Sequence, residues 1–293
     1  MIEIIRAKSA GFCFGVERIV KMAEALTQQP AGPVYCLGEL IHNPQEVERI
    51  RAQGMRFITG PDELPPLAPG QQARVLIRAH GVAPQVKRAI TERGYQLSDG
   101  TCPLVTIPHQ FARKLVQDGY RLVIMGHREH PEIQGILGEL ADLPEGRVDV
   151  VSGPEELERL ELRAGDRVGL ISQTTHPYER FARLVGEVLA RTLEVRAYNT
   201  ICQATSERQG ATLALAKEVP LLIVVGGRRS SNTNRLVEIA SLYTECYHLE
   251  DAAELKKEWF NGVEKVGIAA GASTPERSIQ EVELTIRALV GDG

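Results

Sequence analysis

The chain has 293 residues, 43% of them hydrophobic and 25% charged, and a formal net charge of −4. Length and composition suit a folded protein of two or three ordinary domains and exclude a disordered chain. The slightly acidic balance provides no general field for nucleic acid or membrane, so an anionic ligand would need a local pocket.

The first residues, MIEIIRAKSAGF, read as a short strand over 1–8 and lack the long apolar core of a secretory leader. Cys13 follows in GFCFG, and then VERIVKMAEAL places Val16, Ile19, Val20 and Ala23 on one side of a helix. An apolar strand beginning at Pro33, PVYCLG, runs into the loop ELIHNP and a helix in QEVERIRAQG. The Pro-rich stretch at 61–72 reads as a surface loop, and RVLIRAHGVAP as the next strand and loop. Cys102 in TCPL opens a helical stretch interrupted by Pro108, for which an irregular first turn is expected.

The same phrasing continues with RLVIMGHREHPE, RVGLISQTTHP and the helix YERFARLVGEVLART. Cys202 in ICQA precedes LLIVVGGRRSSNTNR and VGIAAGASTPE, and a last helix ends at Gly291. The longest aliphatic run, LLIVV at 221–225, is too short to cross a bilayer. A cytoplasmic protein without nucleic-acid or membrane partners is expected. In that compartment cysteines serve as ligands, nucleophiles or core residues more often than in disulfides.

Six strand-and-loop phrases, two after each of Cys13, Cys102 and Cys202, make a threefold internal repeat. Continuous apolar strands alternating with helices indicate parallel sheets covered on both faces. The expected fold is therefore α/β, with three pseudo-threefold-related α/β domains. Their limits are 12–102, 103–197 and 198–293, with strand 1–8 added to the third. Ligands of such sheets bind beyond the carboxyl ends of the strands, so a threefold arrangement would direct all six loops at one cavity with the cysteines at its floor.

Cys36 and Cys246, in VYCLG and ECYHL, lack a repeat partner and read as core residues. Cys13, Cys102 and Cys202 share one phase, each just before a helix, where the thiolate is favoured. Three thiolates can hold zinc with a fourth water, or a 4Fe–4S cluster with one open iron. Separations of about ninety to one hundred residues favour the cluster, since structural zinc sites generally use close ligand pairs. His42, His80 and His130 follow strands in corresponding loops and read as ligand-binding, whereas His109, His127, His176 and His248 read as structural or surface residues. Ser230, Ser231 and Asn232 precede an apolar helix and form an anion cradle, joined by Ser273 at another helix start. These donors suit a phosphate or diphosphate. Glu132, without a basic neighbour in HPEIQG, would have a raised pKa if buried and so could carry a proton.

The phrases GFCFGVERIV, LIHNPQEV, RAHGV, DGTCPLVT, GHREHPEIQG, ISQTT, NTICQATSERQ, SSNTNRL and AGASTPE resemble the 4-hydroxy-3-methylbut-2-enyl diphosphate reductase family over essentially the whole chain. The resemblance implies a cloverleaf of three α/β domains around one 4Fe–4S cluster held by Cys13, Cys102 and Cys202. It implies substrate contacts from His42, His80, His130, Ser230, Ser231, Asn232 and Ser273, with Thr174 near the substrate hydroxyl and Glu132 delivering a proton. It further implies reduction to isopentenyl and dimethylallyl diphosphate, with ferredoxin or flavodoxin as electron donor. Phe14 stands where some members have a smaller residue, which would tighten the surroundings of the cluster. A quinolinate-synthase-like dehydratase is the nearest alternative enzyme, and a zinc-binding interaction module the alternative of another class.

Overall fold

In the computed structural model, residues 2–28, 32–142 and 148–291 are described. Met1, the first residue of the expected N-terminal strand, and the last two residues of the third expected domain lie outside them. Among the described residues are twelve strands and nine α-helices. In chain order these are β1 (Glu3–Arg6), α1 (Phe14–Thr27), β2 (Val34–Leu37), α2 (Pro44–Ala52), β3 (Met55–Ile58), β4 (Arg74–Ile77), α3 (Pro84–Glu92) and β5 (Gln96–Asp99). Next come α4 (Pro103–Gln117), β6 (Arg121–Met125), α5 (Pro131–Glu139), β7 (Val148–Val151), β8 (Arg167–Ser172), α6 (Tyr178–Leu189) and β9 (Glu194–Ala197). The chain closes with α7 (Gln203–Ala216), β10 (Leu221–Val225), α8 (Ser231–Ser241), β11 (Glu245–Leu249), β12 (Lys265–Ala270) and α9 (Glu276–Val290).

The strands form three four-stranded sheets, each wholly parallel. Their orders are β3-β2-β4-β5, β7-β6-β8-β9 and, read from its other edge, β11-β10-β12-β1. The three orders are one topology repeated. In the third sheet, however, β1 from the N-terminus takes the edge that β5 and β9 take in the others. The six central strands are the six apolar runs of the sequence, and β2, β4 and β10 are buried at every residue. Burial on both faces removes the polar alternation that a half-exposed strand would show. Each fully buried aliphatic side chain contributes roughly 1.5–3 kcal/mol, which holds these strands as the sheet cores.

Clustering of contacts divides the chain into two compact units. One comprises Met1–Glu17, Ile41–Arg49 and Gln203–Gly293, and the other Arg18–Leu40 and Ile50–Cys202. The β1-containing sheet lies in the first unit and the other two sheets in the second.

The helix after Cys102 corrects one expectation. It begins at Pro103 and continues through Pro108 to Gln117, with no irregular first turn. Pro103 occupies the first helical position, where a missing N–H costs nothing. Pro108 is buried inside the first turns and removes a single backbone bond, while Val105, Ala112, Leu115 and Val116 bury one face. Packing of that face outweighs the lost bond.

Candidate active site

The threefold repeat recurs in the hydrogen bonds at the strand ends. Gly38, Gly126 and Gly226 each follow a central strand and donate their N–H to the last residue of the neighbouring edge strand, Ile58, Val151 and Leu249, at 2.7–2.8 Å. Four residues beyond each glycine stand His42, His130 and Ser230, just before the starts of α2, α5 and α8. The three cysteines are likewise equivalent. Cys13, Cys102 and Cys202 donate their N–H to the carbonyls of Ala272, Ala79 and Thr174, at 3.1, 2.9 and 2.9 Å. Each acceptor lies two residues past the end of a central strand, β12, β4 or β8. None of the three is in a disulfide, and each immediately precedes a helix, α1, α4 or α7. By contrast, Cys36 is fully buried in β2, where burial pushes its thiol up to about 12, and Cys246 is raised to about 11. Three sulfurs at helix starts in equivalent repeat positions fit metal ligation, whereas Cys36 and Cys246 lie in strands with thiols that burial keeps protonated.

In the unit that holds the loops of His80, His130 and Thr174, Glu132 is 1% exposed in the first turn of α5. The Thr174 backbone N–H donates to its Oε1 at 2.8 Å and the Thr174 hydroxyl to its Oε2 at 2.7 Å. Burial disfavours the charged carboxylate more than these two bonds favour it, and the pKa rises from 4.5 to about 7. No basic side chain perturbs it. His130 caps the same helix: its Nδ1 accepts the Glu132 N–H at 3.2 Å. That contact leaves the ring proton of a neutral His130 on Nε2. The His80 ring packs edge-on against His130, with centroids 5.3 Å apart and planes at 85°.

In the other unit, the loop of His42 is tied to the loop of Ser273. The Ser273 hydroxyl donates to the His42 carbonyl at 3.1 Å, and the Asn43 amide donates to the Ser273 carbonyl at 2.9 Å. Asn43 also accepts the Glu46 N–H at 3.0 Å, capping the start of α2. Gly227 lets this loop approach, since a Cβ there would stand 2.4 Å from the His42 carbonyl oxygen. Ser230 caps α8 by accepting the Thr233 N–H at 3.2 Å. Ser231 opens the helix, and the buried Asn232 side chain has neither a donor nor an acceptor for its amide among the described residues.

The structure thus brings together His80 with His130, Glu132 with Thr174, and His42 with Ser273. Asn43, which ties the His42 loop to the Ser273 loop, is a residue that sequence reasoning passed over. Its place before the Pro of LIHNPQEV, a helix-capping position, is the signal that marks it. The other histidines differ. His248 is hydrogen-bonded to the Gly226 carbonyl, and His127 and His176 pack with centroids 5.3 Å apart. His109 is held neutral, its pKa lowered to about 4 chiefly by burial. Phe14, next to Cys13 in sequence, is 65% exposed.

Cysteines outside disulfides in equivalent repeat positions, together with a carboxylic acid held near neutrality, belong to an α/β metalloenzyme with acid–base chemistry rather than to an interaction module. Known proteins narrow the class. The family model described as LytB protein matches residues 4–287. The 4-hydroxy-3-methylbut-2-enyl diphosphate reductase of Aquifex aeolicus is 42% identical over 98% of this chain and 96% of its own. That of Geobacter sulfurreducens is 42% identical over 96% and 95%. A solved structure of (E)-4-hydroxy-3-methyl-but-2-enyl diphosphate reductase, the terminal enzyme of the non-mevalonate pathway, is 42% identical with a TM-score of 0.70. It matches 98% of this chain and 100% of that one. A Plasmodium falciparum reductase structure, at 23% identity and a TM-score of 0.89 over 98% and 88%, shares the fold. The chain belongs to the LytB family of iron–sulfur reductases.

Proposed function

We propose that the protein reduces 4-hydroxy-3-methylbut-2-enyl diphosphate, removing its hydroxyl as water to give isopentenyl and dimethylallyl diphosphate. Two electrons and two protons balance the change. The observation that carries the reading is the Glu132–Thr174 pair: a buried carboxylic acid poised near pH 7 can hold a proton and release it to a leaving hydroxyl. Family membership supports the same substrate.

Cys13, Cys102 and Cys202 would hold a 4Fe–4S cluster, leaving one iron without a protein ligand. When bound, such a cluster supplies electrons and a Lewis-acidic iron. The chain's own residues do the rest. His42, His80, His130, Ser230, Ser231, Asn232 and Ser273 bind the diphosphate. For this, His130 offers its Nε2 proton and Asn232 an amide that has no partner among the described residues. Thr174 orients Glu132 with two donated bonds and sits beside the hydroxyl to be removed. Holding the diphosphate and the proton donor in fixed positions lowers the barrier by orientation. No described helix is long and apolar enough to cross a membrane, in keeping with a cytoplasmic enzyme. A ferredoxin or flavodoxin is the fitting electron donor.

The test is anaerobic reduction of 4-hydroxy-3-methylbut-2-enyl diphosphate by the cluster-loaded protein and an artificial donor. The expected result is both five-carbon diphosphates. Loaded protein that yields neither would overturn the reading.

A further inference from the structure

The Nε atoms of Arg74 and Arg78 are both buried without a hydrogen-bond partner, but the Arg74 guanidinium still donates through another nitrogen. Arg18 donates to the Gly100 and Thr101 carbonyls, Arg74 to the Leu26 carbonyl, and Arg113 pairs with Asp142. Arg78, just past the end of β4, has its Nε buried without a hydrogen-bond partner. Burial draws its pKa down, and electrostatic attraction to Cys36 and Glu39 opposes this. Of these two, Cys36 is neutral at physiological pH, because its own thiol is pushed up to about 12. Arginine stays protonated even so, which leaves a half-buried cation attracted by Glu39 but without a hydrogen-bond partner at Nε.

Beside it is a cavity of about 230 Å³, near the lower end of small-molecule pockets at ~300–1,000 Å³. Space for the guanidinium depends on Gly38, where φ is 75° and a Cβ would stand 2.3 Å from Arg78 Nη1. The walls are largely apolar, from Leu37, Pro61, Val82, Val86 and Pro131. The polar lining side chains Thr59 and Gln134 are already engaged, by Glu63 and by the Arg128 carbonyl. One half-buried cation in an apolar cavity suits a ligand with a single anionic group and a short hydrocarbon part.

We propose that this cavity is a second binding site, for a small organic anion whose carboxylate or phosphate pairs with Arg78 and whose hydrocarbon part lies against the apolar walls. Its position gives binding a consequence. Arg78 is two residues before His80, and Pro131, Gln134 and Gly135 belong to the helix that carries Glu132. A ligand seated there touches the elements that hold both groups, and so modulates turnover without displacing substrate. The inference rests on Arg78 and the cavity alone, so it can fail while the reductase reading stands, and the reverse.

The test uses cluster-loaded enzyme, anaerobically, with three probes: isopentenyl diphosphate, hexanoate and inorganic phosphate. Equilibrium dialysis should show a binding class that weakens at least tenfold in Arg78→Met and survives in part in Arg78→Lys. With isopentenyl diphosphate or hexanoate, inhibition of the wild type should persist at saturating substrate. In Arg78→Met that component should vanish while uninhibited turnover stays within about twofold. Binding of hexanoate alone assigns a carboxylate ligand, and binding of isopentenyl diphosphate alone a phosphate ester. Equal binding of every probe by wild type and Arg78→Met, or binding of none outside the substrate site, would overturn the proposal and leave Arg78 solvated by water.

Discussion

Thr174 gives both its backbone N–H and its hydroxyl to Glu132, one to each carboxylate oxygen, and the acid still sits near pH 7. Two donated bonds ordinarily favour the ionised form, so burial is the larger effect here. The pair can hold a proton at neutral pH and give it up without moving.

The first prediction removes that proton. Glu132→Gln keeps the size of the side chain and an acceptor for the Thr174 N–H, so fold and substrate affinity should persist. Turnover should fall about 10²–10⁴-fold, the usual contribution of a positioned acid. Anaerobic steady-state kinetics beside substrate dissociation constants check it. Near-normal turnover would remove Glu132 from the mechanism.

Glu132 also sets a pH dependence of known sign. Its folded pKa, about 7, exceeds the 4.5 of the exposed group, so the native state binds the extra proton between those values. Stability therefore falls as pH rises from about 4.5 through about 7, by at most roughly 3 kcal/mol. Activity that needs the protonated acid should fall through the same upper limit. In Thr174→Val the hydroxyl bond that favours the ionised form is gone, so the alkaline limb should move to higher pH. Its pH–rate profile, compared with the wild type, decides; a limb moved to lower pH would contradict the assignment.

How much of this was legible in the sequence depends on burial. The six central strands are buried on both faces, and their unbroken aliphatic runs announce them. β3, β5, β7 and β9 went unread because they are four-residue edge strands with exposed or half-exposed positions, such as Gln96–Asp99 and Glu194–Ala197. At that length, half-exposed alternation cannot be told from a loop. The cysteine phase was visible because the repeat preserves it, and the hydrogen bonds of the three N–H groups to Ala272, Ala79 and Thr174 supply its physical basis. Arg78 and Asn43 were hidden for another reason. The missing partner of the Arg78 Nε leaves no local pattern, and the place of Asn43 before Pro44 signals a helix cap but not its bridge to the distant Ser273 loop.

The cysteines make the third prediction. Cys13→Ser, Cys102→Ser and Cys202→Ser should each lose the iron–sulfur chromophore and most of the bound iron, whereas Cys36→Ser and Cys246→Ser should keep both. Iron and sulfide analysis of anaerobically purified variants measures it, with circular dichroism to confirm folding. A full cluster in any of the first three removes that residue from the ligand set.

Asn232 separates binding from stability. Both polar atoms of its amide are buried without a partner among the described residues, and a buried unsatisfied group costs about 1–3 kcal/mol. In the unliganded protein Asn232→Ala removes that cost, and should leave the chain as stable as the wild type or slightly more so. Substrate binding reverses the sign, because a hydrogen bond to a charged diphosphate is worth about 1.5–3 kcal/mol. The KM should then rise roughly tenfold to a hundredfold, with kcat less affected. Denaturant titration beside kinetics tests both halves. A variant that loses stability and keeps its KM would show that Asn232 supports the fold and leaves the diphosphate to others.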